Sequence, residues 1–177
     1  PMNLTIKPLT AELIPAYLDF FDNRAFSATD VNGPCYCTCP TQTSEEIDKM
    51  VSEFAGDIKG TLRKHAAKML AEGKIRGYLA FDGETVVGWC NAAMKNTYVK
   101  NRYQFIPDFA WGDDSDAVMS VVCFSIAPAY RGKGVSTALL TRVVDDARAT
   151  GCSAVEGYAH LRKGEGEFDF KGPEKLY

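Results

Sequence analysis

The sequence predicts one α/β (α+β) domain with a mixed, mostly antiparallel sheet flanked by helices, and three observations support this fold class. The dipeptide Asp82-Gly83 separates two β-rich runs and is typical of an antiparallel hairpin. The apolar run 117–126 precedes a glycine-bearing turn, an amphipathic helix and another strand, an order that makes the two strands a parallel pair around the turn. A length of 177 residues with 46% hydrophobic content suits a single domain spanning 1–177.

Helical spacing of apolar residues marks the N-terminal part of the chain. Residues 10–23 carry one apolar face and predict a first amphipathic helix. Thr43 and Glu46 form a capping box ahead of a second apolar stripe that runs to Gly73, which predicts one interrupted helix or two. The pattern then changes to strands at 75–81 and 85–94 on either side of the hairpin turn.

The second half of the chain begins with a long connection, residues 95–116, which is rich in aromatic residues and ends in acids. Connections of this length are often functional, although a surface insertion with packed aromatic side chains is the alternative. Residues 117–126 predict a central strand buried on both faces, which Pro128 ends. A helix follows from Val135 to about Gly151, and 153–160 predicts a last strand.

Composition excludes several classes of partner. The net charge of −3 and the absence of a Lys/Arg block argue against nucleic acid as the main partner. No apolar run is long enough to span a membrane, and the N-terminal residues lack the pattern of a signal peptide, so we expect a cytoplasmic protein with no membrane partner. The sequence is also compatible with a homodimer.

Six cysteines occur, and three of them, Cys35, Cys37 and Cys39, lie within five residues. Reduced thiols are the expectation for a cytoplasmic chain. The C-x-C-x-C spacing differs from the C-x₂₋₄-C spacing of zinc sites, so we expect no metal and a loop in which cysteine acts as a small hydrophobic residue.

The turn before the second long helix has the composition of an anion site. The first amides of a helix lack intrahelical acceptors, and Gly132 and Gly134 let a ligand approach the backbone. The side chains of Arg131, Lys133, Ser136 and Thr137 add positive charge and donors. The pattern favours phosphate, with a simple connecting turn as the alternative, and it departs from both the Walker and the dinucleotide fingerprints.

The run 121–157, with Arg131, Gly134 and Ser136 at the defined positions of Arg/Gln-x-x-Gly-x-Gly/Ala, resembles the cofactor-binding core of the GNAT superfamily of acetyltransferases. Serine replaces the usual glycine or alanine at the last position. The resemblance implies acetyl-CoA as co-substrate, with its pantetheine arm on the backbone of Phe124, Ser125 and Ile126 and an amide near Phe124 at the thioester. It places the pyrophosphate on Arg131, Gly132, Lys133, Gly134, Val135, Ser136 and Thr137.

The C-terminal stretch FKGPEKLY, 170–177, resembles the start of the family's last helix. The resemblance makes Tyr177 the acid that protonates the departing thiolate, with a packing aromatic as the alternative. Members of the family usually continue with at least one more strand. The expectation is therefore that C-terminal strands are missing, either because the chain is truncated after Tyr177 or because its sheet is completed differently.

The base that takes the proton of the amine is not evident from the sequence. Many members of the family place a glutamate where this chain has Val122. Asp116 and Glu156 are the candidates we retain, acting directly or through water, together with the neighbouring acids at 113 and 114. His160 is a weaker candidate because its end of the last strand should lie away from the acetyl group.

The resemblance implies transfer of an acetyl group to a primary amine by direct attack in a ternary complex. The acceptor is a small molecule or a protein, and we expect its pocket between the 95–116 connection and the Cys35–Cys39 loop, where acidic side chains would attract a cation. A covalent route through Cys123 is disfavoured because no histidine is near it in sequence. The alternative function is a non-catalytic acyl-CoA-binding regulatory module with the same fold.

Overall fold

The computed structural model describes residues 2–30, 33–112, 115–160 and 170–177. Five strands form one sheet, and their spatial order is the same as their order in the chain. The strands are β1 (Leu4–Pro8), β2 (Gly77–Asp82), β3 (Thr85–Met94), β4 (Val118–Ile126) and β5 (Ala154–Gly157). The helices are α1 (Ile14–Asn23), α2 (Ser44–Ser52), α3 (Ile58–Ala71) and α4 (Val135–Ala149).

The sheet is antiparallel except between β4 and β5, which are parallel, and this confirms the fold class. β1 was not among the predicted strands. Leu4 and Ile6 are its two alternating apolar residues before Pro8, and so short a pattern gives little signal. β1 forms because its backbone pairs with β2 at the edge of the sheet.

The hairpin and the helix boundaries follow local sequence signals. Asp82 ends β2 and pairs with Thr85 of β3, so the turn consists of Gly83 and Glu84, with Gly83 at φ 61°. Thr43 and Glu46 form the predicted capping box at the start of α2. The second apolar stripe forms two helices because Gly56 takes φ 87° between them and Asp57 caps α3.

A β-bulge in β4 shapes the centre of the sheet. Asn91 of β3 lies opposite Cys123, and the next residue, Ala92, lies opposite Val121, so Val122 is the additional residue on β4. Pairing between β4 and β5 ends at Val121 and Gly157. The remainder of β4, to Ile126, therefore has no partner from β5 along that edge.

Two apolar layers cover the two faces of the sheet. On one face, α1 and α3 pack over Trp89 and Val122, whereas on the other face α4 packs over Val121. Leu139 of α4 is completely buried in the second layer. Burying a leucine side chain of this kind contributes about 1.5–3 kcal/mol relative to leaving it exposed, so α4 is fixed firmly against the sheet.

Within the described ranges, none of the helices has both the length and the apolar composition needed to cross a bilayer.

Candidate functional site

The turn between β4 and α4 has the backbone geometry of an anion site. Gly132 and Gly134 adopt φ 72° and 84°, a left-handed conformation that favours glycine. Gly134 is the N-cap of α4 and makes no side-chain hydrogen bond to the helix, so the first helical amides are not satisfied by a capping side chain. A Cβ at either glycine would meet no protein atom within 4 Å, so the backbone is open to a ligand.

An open cleft of about 670 Å³ lies in front of this turn. It continues from the end of β4 to the first turn of α4, and the C-terminal segment 172–176 forms its opposite wall. Its lining residues are Phe124, Ile126, Tyr130, Arg131, Gly132, Gly134, Val135, Ser136, Thr137, Gly172, Pro173, Lys175 and Leu176. The cleft thus brings together eight of the ten residues that the sequence assigned to the cofactor.

The two basic side chains of the turn are already engaged. The Arg131 guanidinium forms two hydrogen bonds to Asp30, of 3.0 and 2.9 Å, and its Nε donates to the Ile126 carbonyl at 3.1 Å. These hydrogen bonds lower the pKa of Asp30 to about 2. The Lys133 ammonium lies over the Tyr130 ring, 5.6 Å from its centroid. The anion site is therefore formed chiefly by backbone amides, and Arg131 also links the turn to the N-terminal part of the chain.

The Phe124 amide is hydrogen-bonded to Phe170, which shortly precedes the segment 172–176 in the chain. Its N–H donates to the Phe170 carbonyl at 2.6 Å, beyond the point where β4 and β5 separate. The segment therefore occupies the edge of β4 beyond Val121, where an extended ligand could pair in its place. Ser125 contributes to a second cavity on the opposite face of the strand.

This second cavity, of about 400 Å³, lies on the face of the sheet that carries α1 and α3. The loop 35–40 and the long connection, through Tyr103 and Phe105, both line it, as the sequence predicted for the acceptor pocket. The other lining residues are Phe26, Cys123, Ser125, His160, Phe170 and Lys171. None of the described lining residues is a carboxylate, so the acidic lining expected from the sequence is not found in this part of the wall. His160, the weaker candidate for the base, is one of the residues that line this cavity.

Tyr177 lies against β5. Its hydroxyl donates to the Lys171 carbonyl at 2.5 Å, and a Cβ at Gly157 would lie 1.9 Å from its ring. The glycine is thus required for this approach. Tyr177 is placed at the last paired residue of β5, where β4 and β5 separate.

Glu156 belongs to a polar network beside the same separation point. The buried ammonium of Lys95 lies 3.0 Å from its carboxylate, and the Tyr158 hydroxyl donates to it at 2.7 Å. Tyr158 in turn lies 2.8 Å from the Ser120 hydroxyl. Burial, followed by the effect of Glu156, raises the pKa of Tyr158 although the Ser120 hydrogen bond opposes this.

Asp116 is not part of this group. It is exposed and precedes β4, whose first residue lies about 20 Å from Phe124 at the usual rise of about 3.3 Å per residue. The acids at 113 and 114 lie outside the described residues. Val122, at the bulge, is fully buried and has no proton to exchange.

A buried polar cluster around Cys37 was missed by the sequence analysis. The Asn91 side-chain amide donates to the Cys37 sulphur at 3.2 Å, and the Tyr98 hydroxyl donates to the side-chain oxygen of Asn91 at 2.8 Å. A polar asparagine inside the apolar β3 run was the available signal. Among the described residues, no group of three His, Cys, Asp or Glu side chains is arranged to hold a metal ion.

Comparison with known proteins identifies the family. The sequence model of the acetyltransferase (GNAT) family matches residues 43–163. No curated protein matches the chain significantly. The chain is similar in structure to AAC(6')-Iy in complex with the bisubstrate analogue CoA-S-monomethyl-acetylneamine, with 12% identity, a TM-score of 0.50, and 90% of this chain and 82% of that chain covered.

Two further solved structures match the chain at low sequence identity. A ribosomal-protein-alanine N-acetyltransferase from Brucella melitensis biovar Abortus 2308 is 15% identical, with a TM-score of 0.48, and the match covers 99% of this chain and 88% of that chain. An aminoglycoside acetyltransferase from an uncultured soil metagenomic sample is 14% identical, with a TM-score of 0.48, and the match covers 91% of this chain and 82% of that chain.

The family match covers more than half of the chain and includes the turn, the two parallel strands and α4. The five-stranded, mostly antiparallel sheet with β4 and β5 parallel, flanked by helices, agrees with it. The protein therefore belongs to the GNAT family of acetyltransferases.

Proposed function

We propose that the protein transfers an acetyl group from acetyl-CoA to a primary amine, by direct attack of the amine in a ternary complex. The observation that carries this proposal is the cleft of about 670 Å³ that joins the free edge of β4 to the amides at the start of α4. We propose further that residues 1–177 act as one catalytic domain, in the cytoplasm, where its six free thiols would stay reduced.

The pyrophosphate of coenzyme A fits the turn because no capping side chain is hydrogen-bonded to the first backbone amides of α4. The amides of Val135, Ser136 and Thr137 begin the helix, and the left-handed glycines keep side chains away from the anion. When bound, acetyl-CoA supplies an acyl thioester. The remaining residues proposed to contact it are Phe124, Ser125, Ile126, Arg131, Gly132, Lys133 and Gly134.

The pantetheine arm would follow the edge of β4 beyond Val121, where β5 no longer pairs with it. In that arrangement the Phe124 amide exchanges the Phe170 carbonyl for an acceptor on the ligand, so the C-terminal segment must shift when the cofactor binds. A backbone amide aimed at the thioester oxygen would stabilise the developing negative charge, an interaction that typically accelerates acyl transfer about 10²–10³-fold.

The acceptor amine would approach from the second cavity. This cavity lies on the opposite face of β4, and Cys123 and Ser125 line it on either side of Phe124 in the chain. Its aromatic wall, which includes Tyr103 and Phe105, favours an acceptor with an apolar part next to its amino group. The acceptor class proposed here is a small-molecule or protein amine.

Two groups near the separation of β4 and β5 are proposed to move protons. Tyr177 would donate to the departing thiolate, since it lies against Gly157 at the last strand pair. Glu156 would accept the proton of the amine through water, and its partner Lys95 keeps the carboxylate in place. The position of Asp116, before the far end of β4, favours Glu156 over Asp116 as the base.

Calorimetry with acetyl-CoA followed by thiol-release assays on a panel of amines tests the proposal. Binding with turnover on at least one amine is the expected result. Binding without turnover on any amine would favour a non-catalytic acyl-CoA-binding module, an alternative suggested by Val122 at the usual place of the base and by the Phe170 carbonyl on the Phe124 amide. Absence of binding would contradict both functions.

A further inference from the structure

Four thiols from two distant parts of the chain meet at the second cavity. Cys35, Cys37 and Cys39 belong to the loop after α1, and Cys123 belongs to β4 directly after the bulge. We call them the thiol cluster. All four are free, and they line the same wall of a cavity of about 400 Å³, which is large enough to admit a small reagent.

Within the thiol cluster, the sulphur of Cys37 accepts a hydrogen bond from a buried polar side chain. The Asn91 amide donates to it at 3.2 Å, and the Tyr98 hydroxyl fixes the orientation of Asn91 by donating to the amide oxygen. Cys123 lies opposite Asn91 in the strand pair and lines the same cavity as Cys37, and its S–H donates to the Phe124 carbonyl at 3.7 Å. The indole N–H of the completely buried Trp89 has no hydrogen-bond partner among the described residues.

This arrangement stabilises a thiolate at one position of the thiol cluster. The neighbouring Cys123, followed by the hydrogen bond from Asn91, lowers the pKa of Cys37 in spite of its burial. Burial raises the pKa of Cys35 to about 12. The neighbouring Cys37 raises the pKa of Cys123, as does burial. A cysteine that served only as a small hydrophobic residue would not need buried polar groups directed at its sulphur.

We propose that Cys37 is a site of oxidation by small hydroperoxides and that Cys123 converts the product to a disulfide. The Cys37 thiolate attacks one peroxide oxygen, the O–O bond breaks, and a sulfenic acid forms together with hydroxide or, from an alkyl peroxide, an alkoxide. The Cys123 thiol then attacks the sulfenic sulphur. Its proton leaves with the hydroxyl group as water, so that two thiols lose two electrons and the peroxide gains them.

The disulfide would connect the loop after α1 to β4 at the residue preceding Phe124. If the proposed acetyl transfer is correct, this bond closes off the acceptor side of the site and the oxidised protein loses acetyl transfer. Only this consequence rests on the proposed function, because the oxidation itself needs neither acetyl-CoA nor an amine.

The test uses the reduced full-length protein treated with hydrogen peroxide in the absence of acetyl-CoA. We expect the intact mass to fall by two hydrogens and the free thiols to fall from six to four, with a Cys37–Cys123 peptide in the digest. Reduction with dithiothreitol should restore both values. A disulfide confined to residues 35–39, or no loss of thiols at peroxide concentrations that oxidise a free cysteine peptide, would overturn the proposal.

Substitutions separate the two roles. Cys123→Ser should leave a sulfenic acid on Cys37 that a 1,3-diketone probe captures, whereas Cys37→Ser should abolish both capture and disulfide. Cys152→Ser is the matched control, because the Cys152 sulphur lies next to Met94 and outside the thiol cluster. Disulfide formation in Cys37→Ser at the rate of the control would overturn the assignment.

Asn91→Ala tests whether the donors activate the sulphur. Loss of this charge-assisted hydrogen bond should raise the pKa of Cys37, which lowers the oxidation rate at pH 7 by about tenfold and moves the midpoint of its pH profile upward. A packing role would not move that midpoint. An unchanged midpoint in a variant that keeps the wild-type fold by circular dichroism would contradict the proposed role of Asn91.

A separate measurement keeps this inference distinct from the proposed function. If the protein binds acetyl-CoA and acetylates an amine equally well before and after the Cys37–Cys123 bond forms, the regulatory consequence is wrong. If it forms the bond but never binds acetyl-CoA, the proposed function is wrong and the oxidation site stands.

Discussion

Gly134→Glu tests the cofactor cleft most directly. Gly134 has φ 84° and caps α4, so an L-residue there would be strained by about 1–2 kcal/mol. No protein atom lies within 4 Å of the Cβ that the substitution adds, so the strain is not accompanied by a clash. The variant should therefore fold, with a free energy of unfolding reduced by about 1–2 kcal/mol.

The effect on coenzyme A binding should be larger than the effect on stability. A carboxylate about 4 Å from one phosphate charge costs about 1 kcal/mol in a water-like medium and about 4 kcal/mol at the effective dielectric constant near a protein surface. These energies correspond to an affinity loss between about fivefold and about 800-fold. The blocked approach to the amides adds to this loss.

Gly151→Glu provides the matched control. Gly151 lies just past the other end of α4, with φ 77° and likewise no atom within 4 Å of the added Cβ. Both variants should lose similar stability in urea denaturation, but only Gly134→Glu should lose affinity for acetyl-CoA in calorimetry, and less so at high salt. Equal affinities for the two variants would refute the assignment of the turn as the pyrophosphate site.

Three further predictions concern the proton-carrying groups and the ion pairs. Tyr177→Phe should lower kcat at least about tenfold without changing the Kd for acetyl-CoA, measured by thiol release and calorimetry; an unchanged kcat would remove Tyr177 as the acid. Glu156→Gln should reduce the free energy of unfolding by about 1–3 kcal/mol, because the buried Lys95 loses its counter-charge, and the urea midpoint measures this. Asp30, held at a pKa of about 2 by Arg131, stabilises the fold above its ordinary pKa of 3.8 and loses this contribution as the pH falls toward 2. Asp30→Asn should therefore weaken the pH dependence of the urea midpoint between about pH 4 and 2, and a profile identical to wild type would contradict the pairing.

Much of the fold and the conformation of the turn before α4 could be predicted because the relevant signals are local. The glycine turn between β2 and β3, the capping box of Thr43, and the glycines before α4 each act within a few residues through backbone conformation or short hydrogen bonds. The composition of the second cavity could not be predicted in this way. The two loops expected at the acceptor pocket do line it, but its described lining residues include no carboxylate, because side chains from distant segments form that wall.

The sequence by itself determined the class of the sheet, the start of α4 and the left-handed glycine turn before it, because these depend on residues adjacent in the chain. Only the tertiary structure decided where β4 and β5 separate and which side chains meet there. Cys37 contacts Asn91 across 54 residues and Lys95 pairs with Glu156 across 61. Such contacts arise from the packing of distant segments, and no local pattern encodes them.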